Sequence, residues 1–158
     1  MPAKSKMNKP EYLYIKNNQL GVHEDAEKIV KVIAGKFENA EGLEKNHNVE
    51  PIYFHAVLEK GKEFKCDVPI GHNSFIYLLT GDLSIGENKH DKTSNSNLIL
   101  LDRGNKLIVK ANDRSDFLFI AGKPIGEPIA RGGPFVMNTK AEVLQAVKDY
   151  HNGTFAKY

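Results

Sequence analysis

At 158 residues and 41% hydrophobic content, the chain is long enough for one domain with its own core. A formal net charge of +2, with no run of five like charges, provides no basic tail for nucleic acid; the spaced Lys4, Lys6 and Lys9 read as part of a solvated arm. The lone cysteine, Cys66, excludes an internal disulfide and fits a reducing, cytoplasmic setting, and neither a secretory leader nor the ~20-residue apolar stretch of a membrane helix is expected.

In chain order, residues 1–11 lack apolar periodicity and read as a linker-like arm. Tyr12 to Ile15 is a short strand candidate, and Asn17-Asn18 a turn. After polar sequence from His23, a strand from Lys28 to Ile33 ends at Gly35. The polar stretch from Phe37 to Asn48 reads as a loop. Ile52 to Leu58 alternates: Ile52, Phe54, Ala56 and Leu58 share the better core face, opposite Tyr53, His55 and Val57. Next comes the stretch from Gly61 to Gly86. Its apolar run Phe75 to Leu79 reads as a buried strand. Gly81-Asp82 is a tight turn into a second strand, Leu83 to Ile85. This hairpin is expected at the centre of a β-barrel whose mouth lies near Pro69-Ile-Gly-His72.

Glu87 to Asn97 reads as a surface loop, and Leu98 to Leu101 as a strand buried on both faces. Alternating residues from Lys106 to Lys110, a turn at Arg114-Ser-Asp116, and a strand from Phe117 to Ala121 complete a set of short, turn-separated strands. That spacing predicts an all-β, antiparallel barrel over residues 12–121. Residues 122–158 differ. Pro124, Pro128 and Pro134 interrupt regular structure up to Phe135. Thr139-Lys-Ala-Glu142 then forms a capping box that opens a helix over about 140–151. Val143, Leu144, Ala146, Val147 and Tyr150 give it an apolar face, Asn152-Gly153 ends it, and the apolar Phe155 and Tyr158 follow.

Three passages resemble one family. Ile120-Ala-Gly-Lys-Pro-Ile-Gly-Glu-Pro128 with Gly133-Pro-Phe-Val-Met-Asn-Thr139 is similar to the C-terminal signature of pirins. Pro2-Ala-Lys-Ser-Lys-Met7 is similar to the segment joining a pirin's two halves, and Gly71-His-Asn-Ser-Phe-Ile-Tyr77 with Gly81 fits the second half. The resemblance covers nearly the whole chain but only the C-terminal half of a pirin. It implies a cupin-type jelly roll, one of the two barrels of a bicupin. In pirins the N-terminal cupin holds iron through three His and one Glu; some members have quercetin dioxygenase activity, and some animal members act as nuclear transcription cofactors.

The resemblance also gives a test for metal. Laid over Asp67 to Gly81, the metal-bearing motif places its two histidines on Asp67 and Pro69, and its later His-x-Glu falls near Ser115 to Phe117. No usual iron site is therefore expected, and no catalytic set is assigned. Of the six histidines, His47, His90 and His151 read as surface residues, and His55 as exposed or at an interface. His72 is either a turn histidine bonded to backbone or a ligand-binding residue. His72, Asn73 and Tyr77 are the candidate ligand pocket. Cys66 reads as a buried small hydrophobe or a soft metal ligand. Phe135, Met137, Val143, Val147 and Tyr150 are the candidate interface. They would meet a second copy in a homodimer that exchanges chain ends, or a complementary N-terminal cupin chain; alternatively the helix folds back on its own barrel. Two functions stay open. One is a metal-free pirin-like binding or assembly domain, and the other an iron-dependent oxygenase of the quercetin dioxygenase type, with a separate N-terminal cupin or an atypical site.

Overall fold

A computed structural model describes residues 1–43, 48–86, 91–94 and 96–155. Its strands are β1 (Gly21–Glu24), β2 (Lys28–Ala34), β3 (Lys36–Phe37), β4 (Ala40–Glu41), β5 (Ile52–Leu58), β6 (Glu63–Asp67), β7 (Asn73–Thr80), β8 (Asp82–Ile85), β9 (Asp91–Ser94), β10 (Asn97–Leu101), β11 (Lys106–Ala111), β12 (Ser115–Gly122), β13 (Ala130–Gly132) and β14 (Phe135–Met137). One α-helix follows, α1 (Lys140–His151). No helix among the described residues is long and apolar enough to cross a membrane.

Two compact units form. The larger, Tyr14–Pro124, holds a six-stranded sheet ordered β1-β2-β5-β12-β7-β10 and a four-stranded sheet ordered β6-β11-β8-β9, every pairing antiparallel. They enclose one core, as the jelly-roll expectation requires, but remain two sheets and do not close into a continuous barrel. The expected alternation on β5 holds: Phe54, Ala56 and Leu58 are buried and Ile52 partly so. On β12, Ser115, Phe117, Phe119 and Ala121 point inward by the same period of two.

Several local readings change. β7 and β8 are not a hairpin: β7 pairs with β10 and β12, β8 with β9 and β11. Gly81, at φ +102°, is the corner at which the chain leaves one sheet for the other. A glycine turn signal is the same for both outcomes. Arg114-Ser-Asp116 is not a turn, because Ser115 already begins β12 and is buried; its Oγ donates to the Asp113 carbonyl at 2.6 Å and accepts from the Asp82 amide at 3.1 Å. The stretch expected to be a loop from Phe37 onward instead completes the β3–β4 hairpin, and Phe37 joins the core. Gly42 lies so close to β2 that a Cβ there would sit 2.6 Å from the Ala34 backbone. β1 and β9 occupy sequence that reads as polar connection, since an edge strand needs little apolar content. Tyr12 to Ile15 pairs with nothing, and Tyr12, Leu13 and Tyr14 are exposed.

The smaller unit joins Met1–Leu13 to the segment from Ile125 onward. The opening residues are not a free arm. Pro2 is buried, the Ala3 amide donates to Glu127 Oε2 at 2.7 Å, and Lys6 Nζ donates to the Val136 carbonyl at 3.1 Å. The prolines allow a hairpin, β13–β14, with Gly133-Pro134 at its turn. α1 carries the expected capping box: the Glu142 amide donates to Thr139 Oγ1 at 3.2 Å and the Thr139 amide to Glu142 Oε2 at 2.7 Å. The Thr139 hydroxyl and then its amide hold the Glu142 carboxyl below its usual range. The helix buries Val143 and Ala146, but Leu144 is 71% exposed, because it sits ~100° around from Val143.

Candidate functional site

The inner surfaces of the two sheets meet over aromatic side chains. Phe37 stacks on Phe64 with ring centroids 5.1 Å apart, Phe64 meets Phe117 edge-on at 5.6 Å, and Phe54 approaches Phe119 at 6.1 Å. Among the described residues, the buried polar side chains are His72, Ser84 and Ser115. Ser84 and Asn112 bond one another, and Asn112 Nδ2 also donates to Asp82 Oδ1 at 3.1 Å, so this polar end of the core is satisfied internally.

A cupin metal centre requires several donor side chains converging on one point. Among the described residues, no three His, Cys, Asp or Glu side chains gather in that way. Asp67 and Pro69, where the motif would put histidines, are both exposed. At the later position stand Ser115, Asp116 and Phe117, with Asp116 on the outward side of β12. The residues at these motif positions do not fit iron. His47, His90 and Tyr158 lie outside the described residues.

Cys66 is 9% exposed and its Sγ donates to the Asp67 carbonyl at 3.2 Å. Burial, and then the neighbouring Asp67 carboxylate, push the thiol up to about 12. At pH 8 only roughly 10⁻⁴ of it is thiolate, the reactive form. Labelling by a disulfide reagent at pH 8 is therefore expected to be at least ~100-fold slower in the folded protein than in denaturant. Fast stoichiometric labelling of the folded chain would contradict this placement.

The three candidate pocket residues do not converge. His72 is 4% exposed and bonds backbone: its Nε2–H donates to the Glu50 carbonyl at 3.1 Å, holding the chain where Glu50 adopts a left-handed φ of 45°. Asn73 opens β7 and is exposed. Tyr77 points outward, between the inward Ile76 and Leu78 of β7. The candidate interface residues are partly consumed within the smaller unit. Phe135 packs against Tyr150 at 5.9 Å and Phe155 at 5.1 Å, and Val143 is buried; Met137 and Val147 are half-buried and Tyr150 remains 64% exposed.

The larger open apolar surface is the outer face of the six-stranded sheet, which the sequence reading missed. The ladder registers set out its rows. Leu98, Tyr77, Leu118, His55 and Lys31 lie side by side in one row; Leu100, Phe75, Ile120 and Tyr53 form the next. β10 is the edge strand of this sheet and is not buried on both faces: Leu98 is 58% and Leu100 78% exposed. β7 likewise buries only Ile76 and Leu78, the inward side of the run that reads as buried. Near the middle of the face His55 Nε2 lies 2.7 Å from Asp116 Oδ1, both about 30% exposed. β7, β10 and β12 are apolar at both parities, a signal that for β10 reads as burial on both faces.

Comparison with known proteins places this geometry. The model of the pirin C-terminal cupin domain matches residues 53–156. Human pirin is 34% identical over 155 residues, covering 95% of this chain and 52% of its own. A pirin-like protein of Solanum lycopersicum is 31% identical, covering 97% of this chain and 53% of its own. The crystal structure of quercetin 2,3-dioxygenase from Acinetobacter baumannii superposes with a TM-score of 0.87 at 30% identity, over 98% of this chain and 54% of that one. The chain thus spans about half the length of the curated relatives it matches. It belongs to the pirin family and carries that family's C-terminal cupin domain.

Proposed function

We propose that this chain is a metal-free assembly cupin: a pirin C-terminal half that works with its six-stranded sheet pressed against a second cupin. The observation that carries this is the open outer face. At ~4.8 Å between strands and about 7 Å between outward rows, the two apolar rows over four strands span roughly 270 Å² in projection. That is the scale of the apolar centre of a specific interface, one side of which buries about 800 Å² of accessible surface with its polar rim included. A flat, twisted apolar sheet is best matched by another sheet, packed at about −30°. A second copy supplies one, giving a C2 homodimer; an N-terminal cupin chain is the other source. The single Cys66 fits a reducing, cytoplasmic setting for this role.

The Acinetobacter baumannii relative, named for quercetin 2,3-dioxygenase, favours a second reading. In it, the iron chemistry belongs to a separate N-terminal cupin and this chain is the docking half. Both readings expect the purified chain alone to be inactive. After incubation with ferrous iron and desalting, it should retain well under one metal per chain and leave quercetin absorbance unchanged. Stoichiometric iron with quercetin loss by the chain alone would overturn the metal-free assignment.

A further inference from the structure

At one end of the larger unit, β7 and β10 of one sheet and β8 and β11 of the other diverge around a cleft of about 450 Å³. That volume lies within the range of small-molecule sites. Ile85, Ile99 and Leu101 line it, three of the four half-buried apolar residues that border the core. Core apolar surface is thus left open here.

The rim is polar and carries more positive than negative charge. The turn after β10 brings Arg103 to the edge, Lys106 follows at the start of β11, and Asp102 is the one carboxylate of the lining. Among the described residues neither Arg103 nor Lys106 makes an ion pair. Half-buried Ser74 adds a hydroxyl. A guanidinium at the lip of an apolar cleft matches a planar carboxylate in geometry and charge.

We propose that this cleft binds a small amphiphilic carboxylate, with its apolar body on Ile85, Ile99 and Leu101 and its carboxylate at Arg103. Lys106 adds attraction from the rim, and Asp102 opposes it, favouring a single negative charge on the ligand over several. The site lies between the two sheets of one unit. It is present in the single chain and meets the outer sheet face at Leu100.

The test is a titration of the full ¹⁵N-labelled chain by NMR, with octanoate as the probe and 1-octanol as the same body without the charge. Octanoate is expected to shift the amides of Ser74 and of residues 99–107 and to bind at least fivefold tighter than 1-octanol. Arg103→Ala should bring octanoate to the level of 1-octanol and leave 1-octanol unchanged. Arg103 is exposed, so its substitution spares the core. Asp102→Asn should strengthen octanoate about twofold. Equal affinity for the two probes, indifference to Arg103→Ala, or shifts confined to the outer sheet face would each overturn the proposal.

Discussion

Replacing Phe64 with alanine should cost the larger unit about 3–5 kcal/mol, the usual range for a large aromatic removed from a packed core. Phe64 is fully buried on β6, the edge strand of the four-stranded sheet. It stacks on Phe37 of the β3–β4 hairpin and meets Phe117 of the opposite sheet edge-on. The truncation therefore removes apolar transfer energy, two ring contacts and a tie between sheets, and the cavity has rigid strand neighbours on both sides. Phe64→Leu, which keeps most of the volume, should cost under about 1.5 kcal/mol. Urea unfolding followed by circular dichroism measures both. A loss below about 1 kcal/mol for Phe64→Ala would mean that the ring does not bridge the sheets.

Gly81→Ala should be nearly as damaging, for a different reason. Gly81 has φ +102°, outside the range that alanine tolerates cheaply, and an added Cβ would lie 2.6 Å from Ser115 Cα and 2.7 Å from the Arg114 carbonyl oxygen. Both obstacles are backbone at the start of β12, an interior strand of the six-stranded sheet, so relief must displace that strand. A loss of about 3 kcal/mol or more is expected. Gly61 is the control: its φ is +79° and a Cβ there meets nothing within 4 Å. Gly61→Ala carries only the left-handed conformational cost, about 1 kcal/mol. Equal losses at the two glycines would show that the Gly81 corner is not sterically closed.

Features set by local chemistry were legible in the sequence. Thr139 and Glu142 sit at the spacing a capping box needs, and α1 begins there. The alternation of Ile52 to Leu58 identified the inward side of β5, and the buried Phe54, Ala56 and Leu58 occupy it. Pairing partners were not legible. Gly81-Asp82 fits a hairpin turn as well as a sheet-to-sheet corner, and only the long-range registers of β7 and β8 distinguish them. β1 and β9 are short strands placed along a neighbour's free edge, while β3 and β4 pair with each other and are tied in by the buried Phe37 and Ala40.

The outer face shows how one signal supports two meanings. Apolar residues at both parities of Phe75 to Leu79 and Leu98 to Leu101 normally mark a strand covered on both sides. One side of each is covered here by the core, while Tyr77, Leu98 and Leu100 face outward. Apolar residues at both parities are therefore compatible with one covered side and one open side. The surroundings of His72 were less accessible to sequence reasoning, because His72 precedes β7 and lies outside the strand alternation that would orient its side chain.

The most direct test is the mass of the chain in solution, measured by sedimentation velocity across micromolar concentrations. Assembly through the outer sheet face predicts a species twice the 17.7 kDa of one chain. Leu98→Asp with Leu100→Asp, two exposed positions on the edge strand, should return it to single-chain mass without loss of secondary structure. A single 17.7 kDa species at every concentration, unchanged by the two substitutions, would contradict the homodimer.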